Sequence, residues 1–267
     1  MIFIGEKING TRKAVQQAIL NRDRAFIEKT ALEQAQAGAD YLDVNAGTSP
    51  DRETDDMLWL IGIVQEVTEV PVCIDSSSPG VLAAALGQVR QTPLVNSINA
   101  DPARLGAFLP LIREKGAPVI ALALDESKPG MPKTIGERME NIRRIVEAAS
   151  AYGIPEERLF IDPLIMSVAT DDTAGPAVLE AIRAIREAYP AAHITGGLSN
   201  VSFGLPNREL VNRTFLTLAM AAGMDSAVVN PANRALIESL KATELILGRD
   251  RFCRSYTKAA KTNFSKK

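Results

Sequence analysis

Asp75 follows Val72-Cys73-Ile74 and Asp162 follows Leu159-Phe160-Ile161, so each places a carboxylate at the end of an apolar run of strand type. A charge carried on a buried strand needs a partner. Similar residues end other short apolar runs: Glu6 and Asn9, Asp43 and Asn45, Asn96 and Asn99, Asp125, Ser199 with Asn200, and Asn230. Asp and Asn also favour turns and helix caps, and that role accounts mainly for Asp125 and Asn230.

Two chemistries suit the remaining set. A hard cation such as magnesium would use the carboxylates as oxygen ligands. A planar heterocycle with adjacent N–H donors and a carbonyl, such as a pterin, would be matched by a carboxylate accepting two parallel hydrogen bonds and an asparagine that both accepts and donates. The residue types alone rank the two equally. The single histidine, His193, starts its strand and belongs at the opposite end, no lysine stands at a strand end to form a Schiff base, and Ser199 has no histidine to activate it. Nucleophilic catalysis is therefore poorly supported, and zinc lacks ligands.

The elements that must hold these residues alternate. Strand-type runs cover 2–5, 41–44, 70–75, 93–97, 118–124, 158–162, 193–199 and 226–230, with helical stretches between them. Ser78-Pro79, Asp101-Pro102 and Asn230-Pro231 each put a capping side chain before a first-turn proline, and Thr134 with Glu137 fits a capping box. Gly38, Gly116, Gly153 and Gly223 follow apolar-periodic runs as helix stops. In 210–222, Val211, Phe215, Leu218, Ala219 and Ala222 recur at helical steps. Eight such units predict a (β/α)8 TIM barrel forming a single domain over 1–267, with the site at the C-terminal strand ends. The competing dinucleotide-binding open sheet would carry a Gly-x-Gly-x-x-Gly turn, which is missing. The loops 125–133 and 166–174 would lie on the rim beside the site. The stretch His193-Ile194-Thr195-Gly196-Gly197-Leu198-Ser199-Asn200-Val201-Ser202 reads as a strand with two glycines that let something approach closely, ending in polar side chains.

Apolar residues make up 46% and charged residues 23% of the 267, and 30 basic against 32 acidic groups leave a net charge of −2. That balance gives no basic excess for nucleic acid and no polybasic tail for a membrane. Cys73 and Cys253 lie far apart with no metal-type spacing, and Cys73 suits core packing. No apolar run is long enough to span a bilayer and no signal pattern opens the chain, so a cytoplasmic protein is expected.

The ordered set Gly5-Glu6-Lys7-Ile8-Asn9-Gly10, Asp43-x-Asn45, Ile74-Asp75-Ser76, Val95-Asn96-Ser97, Ile161-Asp162-Pro163, Gly197-Leu198-Ser199-Asn200-Val201-Ser202, Asn207-Arg208 and Asn212-Arg213-Thr214-Phe215 resembles the pterin-binding methyltransferases. The match is nearest to the methyltetrahydrofolate:corrinoid protein methyltransferases of the acetyl-CoA pathway and of O-demethylase systems. The resemblance implies methyltetrahydrofolate or tetrahydrofolate as substrate, with Asp75, Asn96 and Asp162 holding the pyrimidine edge of the pterin and Asn200 beside N5. Gly197 and Ser199 would join the substrate site, with Asp43 and Asn45 behind it. Asn200 would stabilise protonated N5, the proton would reach it by water linked to carboxylates such as Asp75, and no metal would be needed in this chain. Phe203 stands where some relatives have a polar residue.

A corrinoid-binding module would carry Asp-x-His-x-x-Gly, whereas His193 is preceded two positions earlier by Ala191. The resemblance therefore implies cobalamin on a separate corrinoid protein that docks over the mouth, met by the 125–133 and 166–174 loops. It also suggests a homodimer, with 219–224 as a contact. Dihydropteroate synthase shares such a barrel, but its early Ser-Phe-Ser loop is missing here. Three further readings compete with methyl transfer from folate: a methylamine:corrinoid methyltransferase, a non-catalytic folate-binding or corrinoid-docking component, and a magnesium-dependent lyase.

Overall fold

The structure, a computed structural model, describes residues 1–264. Eight strands, β1 Ile2–Asn9, β2 Tyr41–Asn45, β3 Val72–Asp75, β4 Leu94–Ile98, β5 Val119–Leu122, β6 Leu159–Asp162, β7 His193–Ile194 and β8 Ser226–Val229, form one parallel sheet in the order β7-β6-β5-β4-β3-β2-β1-β8. A Gly197–Val228 bridge, with the Val228 amide donating to Gly196 O at 3.0 Å, joins the two ends of the sheet. The result is the expected (β/α)8 barrel.

The helices α1 Lys13–Leu20, α2 Arg24–Gln36, α3 Pro50–Val67, α4 Pro79–Gln88, α5 Pro102–Lys115, α6 Ile135–Ala151, α7 Ala174–Ala188, α8 Arg208–Ala222, α9 Arg234–Ile246 and α10 Arg254–Phe264 surround it. Their outer ring buries the main core, in which Ile27, Met57, Leu60, Leu82, Phe108 and Ile182 lie under the strand residues that face outward.

A second, smaller core fills the barrel itself: Ile4, Cys73, Leu94, Ile120 and Phe160, with Tyr41, Leu122 and Val228 against them. Side chains two apart on a strand share a face. The next inward residue after Tyr41 is therefore Asp43 and then Asn45, after Cys73 it is Asp75, after Leu94 it is Asn96, and after Phe160 it is Asp162. The barrel carries an apolar floor and, one step toward the C-terminal strand ends, a polar layer.

Local signals set most helix ends. Asp101 accepts from the Ala103 amide at 2.9 Å, Ser78 caps α4 through the Val81 amide, and Thr134 with Glu137 forms both halves of the capping box. Gly116 closes α5 in the left-handed region at φ 68°, which a side chain would disfavour. Asn230-Pro231 does not open a helix. Asn230 Oδ1 instead accepts from the Ala232 amide in a turn, and Asn233 caps α9 through the Leu236 amide at 3.1 Å.

Three expectations on the strands change. The first strand runs on to Asn9 through a bulge between Gly5 and Ile8. The fifth stops at Leu122, because the Leu124 amide turns back onto Leu122 O at 2.7 Å. The seventh covers only His193–Ile194, and Leu198–Ser202 is a turn of 3-10 helix. Gly196 and Gly197 leave the ladder after one bridge, so the polar residues that follow sit on a helical turn and not on a strand end.

On α8, Phe215, Leu216, Ala219, Met220 and Ala222 are buried while Leu218 is 49% exposed. Ala219, Met220, Ala222 and Met224 are covered by the chain's own core, so within 219–224 only Ala221 and Gly223 present surface. Cys73 is fully buried in the barrel floor, as its strand context indicated. Among the described residues no helix is long and apolar enough to cross a membrane.

Candidate active site

The polar layer is knitted together across β2, β3 and β4. Asn96 Nδ2 donates to Asp43 Oδ1 at 3.1 Å, and Asn45 Nδ2 donates to the main-chain oxygen of Asp75 at 3.3 Å. Asp75 and Asn96 are register partners on adjacent strands. Asn45 Oδ1 is buried with no hydrogen-bond partner in the protein, an acceptor left free at the same level.

Burial dominates the electrostatics. It pushes Asp43 up to about 8, with the neighbouring Asp75 charge adding to the rise and the Asn96 hydrogen bond opposing it. Asp75 is raised to about 6, again chiefly by burial, with Asn45 opposing and Glu53 adding. Asp162 is raised to about 6 by burial against the pull of the Leu164 amide, which donates to its Oδ1 at 2.8 Å, and of Arg138. The site thus holds one carboxyl that stays neutral near pH 7 and two that are poised to ionise just below it.

Asp162 reaches the layer from β6, where it pairs in register with Leu122 of β5. Behind it stands Gly196. A Cβ there would come within 2.6 Å of Ile165 Cδ1 and 3.3 Å of Asp162 Oδ1. A Cβ on Gly197 would come within 3.1 Å of Asn200 Nδ2. The glycine pair therefore makes room for the protein's own Ile165, Asp162 and Asn200.

The Leu198–Ser202 turn that carries Ser199 and Asn200 is clamped from outside. Arg208 donates through Nη2 to Ser199 O at 2.7 Å and through Nε to Ser202 Oγ at 3.0 Å. The 166–174 loop is pinned to its far end, with Ser167 Oγ donating to Phe203 O at 2.6 Å and the Val168 amide to Val201 O at 3.0 Å. Asn200 itself is exposed, as is Phe203 beside it at 68%.

Other strand-end residues serve the scaffold. Asn9 Oδ1 takes the Thr11 amide and hydroxyl, and Asn99 Oδ1 takes the Asp101 amide. Asp125 anchors its loop by accepting from Ser127 and from Arg144 Nη1 at 2.6 Å, in keeping with the turn role read for it. His193 lies at the opposite end, stacked 4.5 Å from the Phe160 ring with Nδ1 3.1 Å from Asp225 Oδ2.

Three supporting residues, Glu53, Arg104 and Arg138, escaped the sequence reading, and a fourth, Arg208, stood in the quoted Asn207-Arg208 with no role assigned to it. Glu53 of α3 accepts from Ser76 Oγ at 2.5 Å and lies near Asp75. Arg104 of α5 donates to Ser97 O at 3.0 Å and opposes the rise at Asp75. Arg138 of α6 donates to Pro163 O at 2.9 Å, and Arg208 holds the 198–202 turn. Only Arg138 left a local trace. With Asn141 it occupies the buried stripe that continues as Ile142, Ile145 and Ala149, where a charge needs a reason. Among the described residues, no group of three or more His, Cys, Asp or Glu is placed to hold a metal ion.

Residues 5–230 match the family described as pterin binding enzyme. Over 259 residues the chain is 42% identical to the methylcorrinoid:tetrahydrofolate methyltransferase of Eubacterium limosum, covering 97% of this chain and 96% of that protein. It is 31% identical over 270 residues to the methionine synthase of Mycobacterium leprae (strain TN), a match to 94% of this chain but only 22% of that much longer protein. Among solved structures, the 7,8-dihydropteroate synthase of Vibrio fischeri ES114 covers 93% of each chain with a TM-score of 0.70 at 15% identity. The Xanthomonas albilineans dihydropteroate synthase with 4-aminobenzoic acid covers 92% of each with a TM-score of 0.69 at 18% identity, and likenesses this remote speak to the fold alone.

Proposed function

The chain belongs to the pterin-binding enzyme family, and from that premise we propose that it is a methyltransferase that moves a methyl group between N5 of tetrahydrofolate and a corrinoid carried by a separate protein. The observation that carries the reading is the Asp75–Asn96 pair, neighbours in register and facing into the barrel above an apolar floor. A carboxylate beside a carboxamide matches the donor-and-acceptor edge of a pterin. The 42% identity to a methylcorrinoid:tetrahydrofolate methyltransferase over nearly the whole of both chains supports methyl transfer over dihydropteroate synthesis. We read 1–267 as one catalytic domain.

In this assignment Asp75, Asn96 and Asp162 bind the pyrimidine edge, and Asp43, neutral and bonded to Asn96, fixes that amide's orientation. Asn45, with its free acceptor, lies behind Asp75. Gly197 and Ser199 shape the wall beneath Asn200, which faces N5. The corrinoid supplies the cobalt that gives or takes the methyl group. When N5 takes the methyl it releases its proton, and in the reverse direction N5 must carry one to become a good leaving group. Asn200 accepts a hydrogen bond from the N5 proton and favours the charged form most in the transition state. It cannot itself supply or accept that proton. Water linked to Asp75 is the route, and a carboxyl raised to about 6 is suited to such exchange.

The name of the Eubacterium limosum relative supports the direction onto tetrahydrofolate, the direction needed for O-demethylation. A cytoplasmic homodimer is the expected form, and the corrinoid partner would dock over the mouth against the 125–133 and 166–174 loops.

Calorimetric titration of methyltetrahydrofolate into the protein and into Asp75→Ala, with chelator present, tests the site. Binding that the substitution removes is expected. No binding by the unsubstituted protein, with chelator or with added magnesium, would sink the reading, and binding that appears only when magnesium replaces the chelator would make the carboxylates a magnesium site instead.

A further inference from the structure

Glu6 is an inward carboxyl that the folate assignment leaves without a task. It stands two residues past Ile4 of the barrel floor, and side chains two apart on a strand share a face, so it points into the mouth at the level of the polar layer. Gly5 pairs with Leu42 of β2 and with Val229 of β8, which sets Glu6 beside Asp43 on one side and Asn230 on the other. The strand breaks step directly after it: Gln34 of α2 is buried, and its Oε1 accepts the Lys7 amide at 2.9 Å.

Glu6, Ser199, Glu209, Asn212 and Asn230 line one cleft of about 50 Å³, which runs from β1 under the 198–202 turn to α8. Among the described residues the Glu6 carboxyl accepts no hydrogen bond, and Arg12 lies 3.9 Å from it. Asn212 Oδ1 is buried and has no partner either. Ser199 gives its main-chain oxygen to Arg208 and keeps its hydroxyl free among the described residues. Two acceptors in one cleft need a donor between them, and a water or the carboxyl's own proton supplies it. The cleft has room for a water, with Glu6, Ser199 and Asn212 as three polar partners to hold it.

Burial holds the Glu6 carboxyl above the ordinary 4.5, opposed by Arg12, Lys7 and Arg208. Asp43 of β2 and Glu209 of α8 are the other titratable groups that face it. Such a carboxyl can hold a proton and yield it to a neighbour. Ser199 precedes Asn200 in the turn, so with N5 at Asn200, as the proposed function places it, the cleft lies on the N5 side of the pterin, while Asp75, Asn96 and Asp162 hold the pyrimidine edge. Asn200 accepts a hydrogen bond from the N5 proton and has no means of moving it.

We propose that Glu6 takes and returns the N5 proton through a water held between Ser199 and Asn212, and so serves as a proton relay for methyl transfer. The inference rests on the folate reading of the barrel mouth, and it adds to the water linked to Asp75 a second carboxyl, on the N5 side of the ring. When the methyl group moves onto the folate, the N5 lone pair forms the new bond to carbon and the electron pair of the methyl–cobalt bond stays on cobalt. N5 is then an ammonium, and its N–H bond breaks as the proton passes through the water to the Glu6 carboxylate. In the reverse direction protonated Glu6 delivers that proton to N5. The electron pair of the N5–methyl bond then returns to nitrogen as cobalt's pair takes the carbon.

The test combines methyltetrahydrofolate affinity by calorimetry with the maximal rate of methyl transfer to free cob(I)alamin at saturating folate, in the parent, Glu6→Gln and Glu6→Asp. Glu6→Gln keeps the shape and loses the acidic proton, so its maximal rate should fall about 100-fold with folate affinity unchanged, and Glu6→Asp should recover about a tenth of the parent rate. The parent rate should fall as pH rises from about 6 to about 8, because only the protonated carboxyl can give, and Glu6→Gln should lose that fall although Asp43, Asp75 and Glu209 remain. Parent-level turnover in Glu6→Gln, a pH profile that the substitution leaves unchanged, or a Glu6→Asp as slow as Glu6→Gln would each overturn the relay while leaving the folate site standing. Loss of folate affinity in Glu6→Gln would overturn it too, by making Glu6 a ligand of the ring. No folate binding by the parent would remove both readings together.

Discussion

Asn96 and Asp43 stand on β4 and β2 with β3 between them, and the Asn96 amide bridges that gap inside the barrel to donate to the Asp43 carboxylate oxygen at 3.1 Å. The carboxyl is shut off from solvent, and burial, reinforced by Asp75, pushes it up to about 8. Its folded pKa lies above the ordinary 3.8, so the stability that comes with protonation is fully present below about pH 4 and is lost as pH rises toward 8. Asp43→Asn stays neutral at every pH. Thermal unfolding should show the substituted protein gaining on the parent between about pH 4 and pH 8, by several kcal/mol in all, at about 1.4 kcal/mol for each pH unit. Parallel curves would mean that Asp43 is ionised in the fold.

Asp75 and Asp162 are both raised to about 6, each chiefly by burial. Only their ionised forms can accept two hydrogen bonds from a pterin edge. Methyltetrahydrofolate affinity should therefore be full at pH 7.5 and fall as the solution is acidified through about pH 6, since protonation removes the acceptors. Asp75→Ala should lower affinity at neutral pH by about 10- to 100-fold, the range of a lost charge-assisted hydrogen bond. An affinity flat from about pH 5 to pH 8 would show that these carboxylates do not meet the ligand.

Asn200 is exposed and lies over Gly197, so its role can be separated from stability. Asn200→Ala should reduce the methyl-transfer rate to free cob(I)alamin, followed by absorbance, by about 100-fold with the melting temperature unchanged. Gly197→Ala should do the same by a smaller factor, because its Cβ would meet only the end of the Asn200 side chain, at 3.1 Å. Full activity in Asn200→Ala would remove it from the chemistry.

Gly196→Ala differs in kind. Its Cβ would lie 2.6 Å from Ile165 in a packed wall, so a loss of about 1–3 kcal/mol in denaturant unfolding is expected, along with weaker folate binding as Asp162 is displaced. Normal stability would show that the wall yields.

Arg208 holds the 198–202 turn through two donors set by its planar fork. Arg208→Lys keeps the charge but loses that geometry. The maximal rate should fall several-fold with a smaller change in folate affinity, and charge-preserved activity at the parent level would mean the turn holds itself.

The barrel, its eight strands and its polar mouth were legible in the chain because they rest on local rules. Alternation two residues apart puts Asp75 on the face of Cys73 and Asp162 on the face of Phe160, and capping residues mark where helices begin. Periodicity reads side-chain direction within one element and nothing beyond it. That limit explains the seventh strand, where two glycines looked like room for a ligand and the fold shows them also making room for Ile165, Asp162 and Asn200. It also explains Arg104 and Arg208, which stand on helices and reach back to the strands and turns they support. Sequence determined which residues face into the barrel. Only the tertiary structure decided which of them touch, which carboxyl stays neutral and where the wall opens, because pairing, burial and clefts arise between segments that the chain keeps apart.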